Sequence, residues 1–114
     1  MNNTVQETSP ATLDPLLLLP DNYTLLMEND LVRVFDVRIR PGETMKLHAN
    51  GPSVIYVLND GRMEHTYEDG TIKIKTAVAG AVVWDDAETH VTTNIGETDI
   101  HSIKVELKTK HLVS

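Results

Sequence analysis

From Tyr23 onward, turn signals cut the chain at short intervals: Asn29-Asp30, Pro41-Gly42, Gly51-Pro52, Asn59-Asp60-Gly61, Asp69-Gly70 and Gly96 to Thr98. The segments between them have strand length and are rich in Val, Ile and Thr, and no long stretch carries a clean 3.6-residue rhythm. Strands are expected over Tyr23 to Met27, Leu31 to Arg40, Thr44 to His48, Val54 to Leu58, Arg62 to Tyr67, Thr71 to Thr76, Ala81 to Trp84, His90 to Asn94 and Ile100 to Leu107. Phe35, Val37 and Ile39 share one face of their strand. Alternation sets Ile72 and Ile74 against Lys73 and Lys75, and Ile103, Val105 and Leu107 against Lys104 and Glu106, with the charged rows toward water. The run Val54 to Leu58 is apolar throughout, as in a strand covered on both faces. Eight or nine short strands predict an all-β sandwich or barrel.

With 114 residues the chain has room for one thin core, and small domains often gain burial by pairing. A net charge of −7 and the lack of a basic stripe argue against nucleic acid and anionic membranes as partners. Without cysteine there is neither a disulfide nor a thiolate metal site. The run Leu16-Leu17-Leu18-Leu19 is too short to span a bilayer, and the first fourteen residues hold no Lys or Arg, so a cytoplasmic protein is expected. The expected division is an N-terminal arm over 1–22 and a β-domain over 23–109. The leucine run packs on the outside of the domain or joins a dimer seam.

Two segments resemble the paired motifs of the cupin superfamily. The first is Pro41-Gly42-Glu43-Thr44-Met45-Lys46-Leu47-His48-Ala49-Asn50, continuing through Val54 to Gly61; the second runs from Gly80 through His90 to Asn94. The family pattern has Pro-Gly, five residues, His-x-His, three or four residues and Glu, then a distant His followed four positions later by Asn. This chain keeps Pro41-Gly42, His48, His90 and Asn94. It has Asn50 at the second His, Val54 or Ile55 at the Glu, and Asp85-Asp86-Ala87 in place of a Pro-x-Gly turn. The resemblance implies an antiparallel, jelly-roll-like cupin β-barrel. It would carry metal-ligand roles to His48 and His90, with Asn50 beside them on the same strand face, and one divalent ion (Zn, Fe, Ni or Mn).

On a strand, His48 and Asn50 face the same way, and His90 is expected to meet them from across the lumen. Glu88, two residues before His90, is the nearest carboxylate. Tyr56 is read as pocket wall or packed core, Trp84 as a cap on the pocket mouth or core, and His101 as inward-facing. His65 is assigned a structural use, Asn94 a turn-stabilising one, and His111 a place in a solvated tail.

Two functions follow. In one, a divalent metal on His48, Asn50 and His90 acts on a small polar or carboxylated metabolite, with a histidine as an alternative general base at its ordinary pKa near ~6.5. In the other, a metal-free, non-catalytic domain binds a small ligand or serves as a dimeric scaffold. A homodimer is expected in both.

Overall fold

A computed structural model describes residues 13–108; the expectations for the first twelve residues and for His111 lie outside it. Asp14 caps a short helix, α1 (Pro15–Leu18), by accepting the Leu16 amide, and Pro15 occupies the first turn, where its missing N–H costs nothing. Nine strands follow: β1 (Tyr23–Glu28), β2 (Val32–Ile39), β3 (Thr44–Asn50), β4 (Ser53–Val57), β5 (Gly61–Tyr67), β6 (Ile72–Ala77), β7 (Val82–Asp85), β8 (Glu88–Asn94) and β9 (Ile100–Leu107). Every described pairing is antiparallel.

The strands form two sheets, ordered β1-β2-β9-β4-β7 and β3-β8-β5-β6. They face each other as a double-stranded β-helix. Among the described residues no ladder joins one sheet to the other, so the expected closed barrel is instead a sandwich with free edges at β6 and β7. Between the sheets lie Leu19, Tyr23, Phe35, Val37, Ile39, Met45 and Ile100, with Leu16 and Leu18 packed against them. The leucine run therefore feeds the core at its C-terminal end, while Leu17 stays exposed. No helix among the described residues is long and apolar enough to cross a membrane.

Three strands overturn the expected facing. In β9, Ile100, Lys104 and Glu106 point inward and are buried. The outer side carries Ile103 and Val105, and the ladder partners of Val105 there are apolar: it lies between Val34 and Val54, which itself pairs with Trp84. In β6, Ile72 and Ile74 are exposed, while Lys75 and Ala77 turn toward the interior. In β4, Ser53 and Val57 are buried but Val54 and Tyr56 are exposed, so this strand is covered on one face only. Alternation was right about period and silent about which row turns inward.

Candidate functional site

The inter-sheet space holds a cavity of about 380 Å³ with a largely apolar wall that includes Val37, Ile39, Ile55, Val57, Met63 and Ile100. Its polar end is built on β3 and β8. These strands are neighbours in one sheet, and His48 stands directly opposite His90 in the ladder. His90 thus meets His48 from the adjacent strand, not from across the lumen. An extra residue in β3 between Met45 and His48 shifts the register, which lets both side chains point inward although they are three positions apart.

Fixed donors and acceptors assign the tautomers of His48 and His90. His48 Nδ1 lies 2.7 Å from the Lys46 carbonyl oxygen. A carbonyl only accepts, so Nδ1 carries the hydrogen and Nε2 presents a lone pair. That Nε2 is buried and has no partner among the described residues, a defect that costs about 1–3 kcal/mol when nothing fills it. Across the cavity, Lys104 Nζ donates to Asn50 Oδ1 at 2.6 Å and to the Tyr23 hydroxyl at 3.3 Å, while Tyr23 donates to the same Asn50 oxygen at 3.0 Å. An ammonium only donates, so the amide orientation is set, and Asn50 Nδ2 donates to His90 Nε2 at 3.1 Å.

The hydrogen of His90 therefore sits on Nδ1. This atom is 3.2 Å from Glu88 Oε1 but out of line for a hydrogen bond, and it is left without a partner. Glu88 accepts instead from the Tyr67 hydroxyl at 3.1 Å, and burial, with this bond adding to it, pushes the phenol up to about 12. His65 stacks on His90, with centroids 4.2 Å apart and planes 11° from parallel, and its Nδ1 meets Thr92 Oγ1 at 2.8 Å.

Burial holds all three rings neutral. His48 and His65 are lowered to about 4, and His90 to about 2 by desolvation and then by the neighbouring histidines and Lys104. None keeps the ordinary value that general-base work near neutral pH would use.

Of the four expected pocket residues, His101 borders the cavity, and Tyr56, Trp84 and Glu88 do not line it. Tyr56 is on the outer face. Trp84 is half exposed and donates its Nε1 hydrogen to Asp86. His101 borders the cavity, but its ring turns outward to Asp36, with Nε2 2.9 Å from Oδ2. Glu88 is on a strand and in phase with His90, with its carboxylate committed to Tyr67. Asn94 ties a turn, donating to the Ile39 and Thr98 carbonyls and accepting from Gly96 N–H.

The donor set does not suit a metal ion. Among the described residues no three His, Asp or Glu side chains are placed to share one. His65 and His90 cannot act together, because a ligated ion lies in the plane of each ring about 2 Å from nitrogen, and parallel stacked planes do not meet. His48 and His90, with planes 74° apart, remain possible co-ligands, but Asn50 Oδ1 already faces an ammonium. The cation of this site is Lys104.

Lys104, Tyr23 and His65 were missed as site residues. Lys104 looked like part of a solvent row, although it shares strand phase with Ile100. Tyr23 looked like a strand start, and its reach to Asn50 spans 27 residues.

No family model matches the sequence, and none of the curated proteins matches it. Solved structures do. A cupin domain from Bordetella pertussis Tohama I aligns with a TM-score of 0.68 at 19% identity, over 75% of this chain and 91% of that one. An RmlC-like cupin with a double-stranded β-helix fold from Methanocaldococcus jannaschii aligns at 0.60 and 19%, over 81% and 84%. A protein with a double-stranded β-helix domain from Klebsiella pneumoniae aligns at 0.57 and 19%, over 73% and 72%. At these identities the likeness is one of architecture, and by that architecture the chain has the cupin fold.

Proposed function

We propose that the chain binds a small carboxylate with an apolar body, and does so without a metal ion. One observation carries this reading: Lys104 is 6% exposed and has no carboxylate within ion-pair distance among the described residues. An ammonium taken out of water with only neutral partners costs several kcal/mol, and an anionic ligand offsets that cost. Asn50 and Tyr23 use two of its three N–H bonds, which leaves one for a ligand oxygen. A second lysine, Lys75, also lines the cavity together with its loose partner Asp85, 3.9 Å away, so Lys104 is the lining cation with no carboxylate beside it among the described residues. The apolar wall accepts a short hydrocarbon body.

The test is calorimetric titration of untagged protein with hexanoate, hexanamide and hexanol, in parallel with Lys104→Met. Binding of hexanoate at least tenfold tighter than the amide, lost in Lys104→Met, supports the proposal. Equal binding of all three, or hexanoate binding that survives the substitution, rejects it. Stoichiometric zinc, iron, nickel or manganese in the same preparation would favour the metal-dependent alternative.

A further inference from the structure

We infer that His48 Nε2 is the specificity element of this pocket, reading a hydroxyl on carbon 2 or 3 of the bound acid, so that the preferred ligand class is a short hydroxy acid. This rests on the carboxylate reading of Lys104 given above.

His48 and Asn50 are alternate residues on one strand face, about 6.7 Å apart along β3. A carboxylate held beside Asn50 by Lys104 therefore places its second or third carbon near the His48 ring. His48 lines the cavity, and the Lys46 carbonyl, by holding the hydrogen on Nδ1, leaves Nε2 as the ring's acceptor. It is fully buried and unpartnered, so a ligand with a donor there gains a hydrogen bond that its unsubstituted analogue cannot make.

Charge selects the donor. Lys104 and Lys75 line the same cavity, and a ligand ammonium at His48 would add a third cation, whereas a neutral hydroxyl adds none. With its hydrogen held on Nδ1 by the Lys46 carbonyl, the ring can only accept the hydroxyl hydrogen at Nε2. No covalent step is involved.

The experiment compares hexanoate, 2-hydroxyhexanoate and 3-hydroxyhexanoate on the full chain, as wild type, His48→Phe and His48→Gln. In the wild type at least one hydroxy acid binds about tenfold tighter than hexanoate. In His48→Phe that preference falls to near unity; His48→Gln, whose amide oxygen can accept, restores part of it. Hexanoate binding with no hydroxy preference in the wild type, or a preference that persists in His48→Phe, overturns the role of His48 and leaves that of Lys104 standing. Failure of all three acids to bind the wild type removes both. Should His48→Phe not fold, the wild-type comparison and His48→Gln still decide the matter.

Discussion

Lys104 Nζ stands 2.6 Å from Asn50 Oδ1, and through that one contact a residue of one sheet sets the amide orientation, and thereby the His90 tautomer, in the other. On the metal-free reading proposed above, the charge that the cupin-like motif would assign to a metal is supplied by this side chain.

That substitution makes a prediction about rebuilding a metal site. Asn50→His alone should gain little zinc affinity, because the new ring stands beside an ammonium. The double variant Asn50→His with Lys104→Met should bind zinc at least tenfold tighter than the single. Competition titration with a zinc indicator checks this; tight zinc binding by Asn50→His alone would show that Lys104 does not guard the site.

Lys104 should also oppose stability. Replacing it with Met removes a buried charge that has no counter-ion and keeps the Tyr23–Asn50 hydrogen bond. A gain of about 1–2 kcal/mol is expected in urea unfolding without ligand. A loss of more than about 1 kcal/mol would mean that the ammonium is fully satisfied by its neutral neighbours.

The three buried histidines set an acid limit. Each has a folded value below the ordinary 6.5, so the unfolded chain takes up protons first as the pH falls. Stability is whole above about pH 6.5 and falls through the range down to about 4 for His48 and His65, and further for His90. Each contributes up to about 3 kcal/mol to that loss between pH 6.5 and 4. Urea midpoints measured at pH 7, 6, 5 and 4.5 should drop steadily, and less steeply in His65→Gln. Midpoints that stay flat down to pH 5 would contradict neutral burial of these rings.

Asp14 has two tasks: it caps α1, and it forms an ion pair with Arg33, which also holds Glu106. Asp14→Ala should cost about 1–2 kcal/mol and weaken the docking of the leucine segment. Hydrogen exchange at Leu18 and Leu19 reports the second effect; unchanged protection there would show that the helix docks without its cap.

Tyr56→Lys and Trp84→Lys should leave hexanoate affinity within about twofold, since both side chains face away from the cavity or stand outside it. A tenfold loss in either would restore their place in the pocket.

Much of this fold was legible locally. Turn dipeptides and alternating runs gave nine strands close to their true bounds, and the spacing of His48, Asn50 and His90 marked the site's floor. What stayed hidden was set by pairing. The inward turn of Lys104 and Glu106 goes with the apolar partners that Val105 finds on β2 and β4, Val34 and Val54, which no single segment declares. Tyr23 joins the site only because β1 and β3, on different sheets, are brought face to face.

The free edges of β6 and β7 border the cavity and are spanned by a weak pair, Lys75 Nζ to Asp85 Oδ1 at 3.9 Å, with both side chains about a third exposed. Such a contact is worth at most about 1 kcal/mol and fades with salt. On the proposed carboxylate reading, a ligand passing between β6 and β7 would rupture no backbone ladder. On that reading, ligand exchange should quicken as ionic strength rises, and the seam that keeps this sandwich from closing would serve as its door.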